Sequence, residues 1–245
     1  MSTQLPLGIG LPESASFTNY IPGPNQAVFN ILQQIIDGKW ENCLYIYGDA
    51  GTGKSHLLQA ACEQMARRGG RPAYLPLALF SQSTPDILEG LDALDLVCID
   101  DIHAIIGQPH WEEALFRLYN QLRTNGIPQI ITGNTIPNKL GLHLPDLVSR
   151  LNWGGAFALQ PLDDISTLQA LQEHAKGRGM ELSDKVAQYL VHQCPRDMKT
   201  LLKWLRQLDY ESLSNRRKLT LPFVRNLVQN TVVSLQDNAS WHGNK

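Results

Sequence analysis

The sequence predicts an α/β fold, a parallel five-stranded sheet flanked by helices, with a small helical domain after it. Three observations carry that reading. Residues Gly48 to Ser55 read GDAGTGKS and match the phosphate-cradling loop G-x-x-x-x-G-K-[ST] at every fixed position. Short apolar runs alternate with amphipathic helical stretches up to Pro161, the pattern of a parallel sheet covered on both faces. Beyond Pro161 the strand signal stops and only helical periodicity continues.

Each element has its own local reason. The stretch up to about Pro24 is rich in Pro, Gly and Ser and reads as irregular. Asn25 is placed to cap a helix whose apolar positions Val28, Ile31, Leu32, Ile35 and Ile36 keep the 3.6-residue period, with Gly38 as its stop. Cys43–Tyr47 is an apolar β-prone run, and the helix from His56 to Met65 follows the glycine-rich turn, closed by Arg67-Arg-Gly-Gly70. Strands are expected at Ala73–Leu77, Leu96–Asp100, Gln129–Thr132 and Ala156–Leu159. From Trp111, the residues Ala114, Leu115, Leu118, Tyr119 and Leu122 trace one helical face that Gly126 ends, and Leu144–Leu151 is a further helix. The second domain is expected to hold helices at Ser166–Lys176, Ser183–Gln193, Arg196–Leu208 and Pro222 to about Leu235. The organisation is therefore a tail over residues 1–15, a nucleotide-binding domain over 16–161, a helical domain over 162–235 and a polar tail over 236–245.

Composition excludes several classes. A net charge of −2 argues against a chain that grips DNA strongly through a broad basic surface. The first residues hold neither a basic n-region nor a long apolar stretch, which argues against secretion, and nothing approaches a membrane span. The 4 cysteines, Cys43, Cys62, Cys98 and Cys194, form no C-x-x-C pair and read as free thiols, most of them buried. A reducing cytoplasmic setting follows from that usage.

The chemistry lies in the glycine-rich turn and the acids across from it. Strand, turn and helix start bring backbone N–H groups and the helix dipole to face an anion. Gly48, Asp49, Ala50, Gly51, Thr52 and Gly53 form the cradle, with Lys54 to reach the β/γ-phosphates and the Ser55 hydroxyl to ligate Mg²⁺. A chance glycine turn would lack the flanking strand and helix. The strand ending in Asp100-Asp101 supplies the acids: Asp100 to hold Mg²⁺ and its waters, Asp101 to polarise an attacking water. At the end of the neighbouring strand, Thr132 or Asn134 is placed to touch the γ-phosphate or that water. Arg150 closes a predicted helix, where a surface or capping role is the plain alternative to a phosphate contact on a neighbouring molecule.

In their order and spacing, GDAGTGKS, VCIDDIH, ITGN and LVSRLNWG resemble the DnaA clade of AAA+ ATPases. The resemblance runs from Gln4 to about Leu235 and implies ADP or ATP with Mg²⁺ as the bound group. It implies that Asn19 and Tyr20, in the segment Phe17–Tyr20, contact adenine, that Asn134 is the polar sensor and that Arg150 is an arginine finger acting in trans. Asp101 falls where most AAA+ proteins carry a catalytic Glu, one methylene longer. The lid sensor departs from the clade's arginine: Lys199 takes the position, with Arg196 one turn earlier as the alternative, and lysine offers a point charge in place of a planar fork.

Two further features narrow the implication to the regulators within the clade. No helix-turn-helix domain of the kind the initiators carry is expected after the lid. Gln4-Leu-Pro-Leu-Gly8 resembles the short peptide by which proteins dock on the bacterial sliding clamp, the β subunit of DNA polymerase III. Pro6 fixes its own φ and biases Leu5 to an extended conformation, so that Leu5 and Leu7 act as apolar pegs and Gln4 as a polar clasp. The resemblance thus implies a negative regulator of replication initiation that meets DnaA on the DNA-loaded clamp and stimulates hydrolysis of its ATP. Weak ATPase activity of its own and self-association are both compatible with that role. A helicase loader that turns over its own ATP is the alternative, and a DNA-binding regulator a weaker third.

Overall fold

The structure, a computed structural model, describes residues 15–40, 43–80, 82–195, 197–215 and 219–229. The chain divides into two compact units, Met1–Gln160 and Pro161–Lys245.

The first unit is built on five parallel strands, β1 (Cys43–Tyr47), β2 (Pro72–Pro76), β3 (Leu96–Asp100), β4 (Gln129–Gly133) and β5 (Ala156–Ala158), in the order β2-β3-β4-β1-β5. Alternation along each strand sends its side chains to two cores. Leu44, Ile46, Cys98 and Ile130 join α1 (Gln26–Ile36) and α2 (Lys54–Arg67) on one face. Tyr45, Val97, Ile99 and Ile131 join α4 (Pro109–Thr124) and α5 (Pro145–Trp153) on the other, the short α3 (Leu77–Phe80) contributing Leu77. Both faces are covered, which is why β3 and β4 are buried along their whole length.

The predicted strands match the observed ones to within a residue, with one informative difference. The second strand runs Pro72–Pro76 and Leu77 opens α3 instead of closing the strand. Pro76 is the reason: on the sheet's edge strand its missing N–H costs no ladder bond, and the chain turns after it. The capping expectation at Asn25 is also corrected. Asn25 precedes α1, but its buried side chain makes no cap. Its Nδ2 donates to the Gln160 carbonyl at 2.9 Å and its Oδ1 accepts from the Gln160 N–H at 2.8 Å. The amide mimics a strand neighbour and pins the exit of β5 to the start of α1.

The second unit holds α6 (Asp164–Gly177), α7 (Asp184–Gln193), α8 (Met198–Asn215) and α9 (221–229). Its own core gathers Leu171, Ala175, Val186, Leu190, Leu205 and Val224. Asp163 caps α6, its Oδ1 accepting from the Ser166 N–H at 2.7 Å. Burial pushes the Cys194 thiol in this core up to about 11, the behaviour of an inert packed thiol. All four cysteines are free. Among the described residues no helix is long and apolar enough to cross a membrane.

Candidate nucleotide site and arginine surface

Because the strands are parallel, the ends of β1, β3 and β4 reach one edge of the sheet. That edge collects Gly48, Asp100-Asp101 and Asn134, beside the point where the chain leaves β1 for the far side of the sheet. Gly48–Gly53 turns directly into α2. Gly53 has φ +98°, and a Cβ there would stand 3.2 Å from the Tyr20 ring, so both backbone conformation and space demand glycine. The turn is braced from within, Thr52 Oγ1 donating to the Asp49 carbonyl at 2.9 Å.

Lys54 is only 7% exposed, and its Nζ donates to the Gly48 carbonyl at 2.7 Å and the Asp49 carbonyl at 2.9 Å. Burial holds its pKa below the ordinary lysine value, and the negative charges of Asp101, Asp100 and Asp49 oppose that shift. The ammonium is thus pinned over the loop, where an arriving phosphate would find it. Ser55 follows Lys54 in the first turn of α2. Its hydroxyl and the Asp100 carboxylate are hard oxygen donors that fit Mg²⁺, which takes few protein ligands and completes its shell with phosphate and water.

Asp100, 2% exposed, has both oxygens engaged. Oδ1 accepts from Thr132 Oγ1 at 2.5 Å and Oδ2 from Tyr74 Oη at 2.7 Å. Thr132 Oγ1 in turn accepts from the Asp101 N–H at 2.9 Å. Thr132, buried completely, is therefore no phosphate contact: it orients Asp100 from beneath. Asn134 is exposed beyond the end of β4. Asp101 has φ +56°, the one non-glycine residue with positive φ among the described residues. Aspartate is among the residues that adopt this left-handed conformation most readily, and it turns the chain directly after β3. His103 Nδ1 lies 3.9 Å from Asp101 Oδ1.

The segment before α1 packs onto this loop. Tyr20 is 9% exposed, stacks on Phe29 at 5.8 Å between centroids and leaves its buried hydroxyl without a hydrogen-bond partner. An orphaned polar atom beside a phosphate cradle fits a bound nucleotide. Asn19 uses Oδ1 to accept from the Ser16 N–H at 2.9 Å, so part of its side chain holds the local turn. His56, which sequence reasoning passed over, ties that turn to α2 through Nε2 and the Ser16 carbonyl at 3.0 Å.

Arg150 belongs to the opposite edge of the sheet. Its guanidinium lies 5.1 Å from the centroid of Trp153, one turn on in α5, and Arg123 from the end of α4 lies 3.9 Å from the same ring. Trp153 is 57% exposed. The next residue fixes where this cluster sits: a Cβ on Gly154 would collide with the carbonyl of Cys43, the first residue of β1. The length of β1, about 16 Å for five residues, thus separates the cluster from the loop that follows β1. A second missed residue positions α5. Glu112, buried in α4, accepts with Oε2 from the N–H groups of His143 (2.7 Å) and Leu144 (2.8 Å), just before α5 begins. One of two adjacent glutamates in an amphipathic helix gives no sequence signal for that role.

Lys199 is exposed on α8, in the second unit, while Arg196 and the peptide residues Gln4, Leu5 and Leu7 lie outside the described residues.

Comparison with known proteins agrees with this architecture. The sequence model of the bacterial DnaA ATPase domain matches residues 11–158, more than half of the chain. The chain belongs to the DnaA family of AAA+ ATPases. Residues 164–228 match the lid domain of Hda, so a DnaA-type ATPase domain is followed by an Hda-type lid. Among solved structures, domain III of DnaA from Thermotoga maritima is 23% identical, with a TM-score of 0.79, over 89% of this chain and 96% of that one. Replication initiator DnaA bound to AMPPCP and single-stranded DNA is 24% identical with a TM-score of 0.70, over 82% of this chain and 67% of that one. AMPPCP-bound DnaA from Aquifex aeolicus is 24% identical with a TM-score of 0.68, over 80% and 65%. At these identities the likeness speaks for the fold.

Proposed function

We propose that this protein is a negative regulator of replication initiation, acting on ATP-bound DnaA from the DNA-loaded sliding clamp in the cytoplasm. In this reading residues 1–15 carry the clamp peptide, with Gln4, Leu5 and Leu7 as its contacts, and 236–245 are a tail. Residues 16–161 hold ADP or ATP: Gly48–Gly53, Lys54 and Ser55 on the phosphates, Asn19 and Tyr20 toward the base, and Ser55 with Asp100 for Mg²⁺. Residues 162–235 are the lid, and Lys199 is its residue assigned to nucleotide binding. Asp101 and Asn134 serve any slow hydrolysis by the protein itself, and Arg150 acts on the ATP of DnaA. The AMPPCP held by related DnaA structures supports the nucleotide assignment.

The observation that carries the reading is the separation of Arg150 from its own phosphate loop. It stands on an exposed tryptophan at the strand-start edge, poorly placed to serve its own nucleotide and available to a neighbour's. An arginine presented in trans offsets charge on the transferring phosphoryl group and is worth roughly 10³–10⁵ in rate in other NTPases.

The test is hydrolysis of ATP pre-bound to DnaA, with this protein and DNA-loaded clamp. Acceleration is expected with the wild type, lost in Arg150→Ala while that variant still binds nucleotide. A Gln4→Ala/Leu5→Ala variant should lose the clamp-dependent part alone. No acceleration with active clamp and DnaA would refute the proposal and turn attention to helicase loading.

A further inference from the structure

The nucleotide edge contains one polar side chain that the chemistry above leaves unused. Tyr74 lies in the middle of β2, an edge strand with no phosphate motif, yet its hydroxyl donates to Oδ2 of Asp100, at the end of the neighbouring β3, at 2.7 Å. The polar side chains of Ser55 and Gln59, one turn apart on α2, approach the same phenol. Tyr74 therefore stands between the hydroxyl and the carboxylate that fit Mg²⁺.

Proton accounting gives the contact a direction. A phenol has one proton and two lone pairs. The proton goes to Asp100, because an ionised carboxylate only accepts. The lone pairs remain for the Ser55 hydroxyl and the Gln59 amide. A hydroxyl that ligates a cation must turn a lone pair toward the metal and send its proton elsewhere, and the Tyr74 oxygen is an acceptor on that side. On the far side of Asp100 the order continues, Thr132 donating to Oδ1 and accepting from the Asp101 N–H.

We infer that Tyr74 is a positioning residue that couples Ser55 to Asp100 and thereby sets how strongly Mg²⁺ supports nucleotide binding. The inference rests on the nucleotide reading given above. The coupling runs through the two groups that fit Mg²⁺, so its effect is expected on the metal-dependent part of the affinity. Outer partners of metal ligands commonly change metal affinity about 10–100-fold when removed.

The experiment measures affinity of the full-length protein for a fluorescent ADP analogue, in excess Mg²⁺ and in EDTA, for wild type, Tyr74→Phe and Lys54→Ala. Tyr74→Phe is expected to keep its EDTA affinity within about 2-fold and to lose about 10-fold of the gain that Mg²⁺ gives the wild type. A Mg²⁺ gain equal to or larger than wild type would overturn the inference, the larger value meaning that the phenol obstructs the cation. If Tyr74→Phe melts far below wild type, Tyr74→Met, similar in reach and without the hydroxyl, takes its place under the same criteria. Failure of the nucleotide reading looks different: no binding by wild type, or wild-type affinity in Lys54→Ala.

Discussion

The two edges of the one parallel sheet are built to opposite specifications. At the strand ends, the acid, the lysine and the threonine are buried and each makes named hydrogen bonds before any ligand arrives: Thr132 and Tyr74 to Asp100, Lys54 to Gly48 and Asp49. At the strand starts, Arg123 and Arg150 lean on one exposed indole. A site that must hold a small anion gains from groups fixed in advance, because the ordering cost is met during folding. A group offered to another macromolecule has to stay accessible, and a stacked guanidinium is ordered without being buried. The difference teaches which residues report on binding and which on partnership.

Two substitutions strain that contrast most. Glu112 stands behind the exposed edge, and its removal leaves the His143 and Leu144 amides before α5 without their charged acceptor. Glu112→Ala should destabilise the first unit by roughly 3 kcal/mol. That would appear as a melting temperature lower by about 6–12 °C. Nucleotide affinity at the other edge should stay within about 2-fold in calorimetry on the folded variant. Loss of nucleotide binding at a temperature where it is folded would show that the edges are coupled. Lys54→Ala is the mirror experiment. Nucleotide affinity should fall by about 50-fold, in line with roughly 1.5–3 kcal/mol for hydrogen bonds to a charged group, while the melting temperature without nucleotide changes little. An unchanged affinity would remove the phosphate-loop assignment.

The sequence made the nucleotide edge more legible than the arginine edge, for a physical reason. The cradle is local: GDAGTGKS needs its residues adjacent because consecutive backbone amides do the binding. Strand ends could also be read, since an apolar run stopped by Asp100-Asp101 announces both burial and its limit. A threonine at the end of an apolar run, such as Thr132, reads equally as a phosphate contact or as a brace, and only the register of β3 against β4 decides. Tyr74, Glu112 and His56 act through partners 26, 31 and 40 residues away, beyond any periodicity. Asn25 was misassigned for the same cause, its partner lying 135 residues on. Lys199 belongs to the second unit, whose pattern announces helices and a core but not which exposed lysine has a task.

A finer test addresses the cation–π contacts. Trp153→Ala removes the surface against which Arg150 is ordered and should reduce stimulation of DnaA-bound ATP hydrolysis about 5-fold, since such contacts contribute about 0.5–1 kcal/mol when exposed. Trp153→Phe keeps an aromatic face and should recover most of that loss. If both variants stimulate like the wild type, Arg150 is held by something other than the ring. If both fail equally, the indole has a partner of its own.

The smallest effect falls in the lid, where an exposed cap has a definite pH signature. Hydrogen bonds from the Ser166 N–H and side chain hold the Asp163 carboxyl below the ordinary carboxylate value. A carboxyl whose folded pKa is depressed contributes stability above its unfolded pKa, near 3.9, and loses it as pH falls through the lower folded value. Asp163→Ala should therefore lower the melting temperature by a few degrees at pH 7. The gap from wild type should begin to close below about pH 4, and a gap independent of pH would assign the loss to the shape of the turn and not to the charge. Asp163→Asn keeps a cap acceptor without a charge and should show a smaller, pH-independent deficit. Neither variant should alter stimulation of DnaA, because the cap steadies the start of α6 while Arg150 and Arg123 are ordered on Trp153 within α4 and α5.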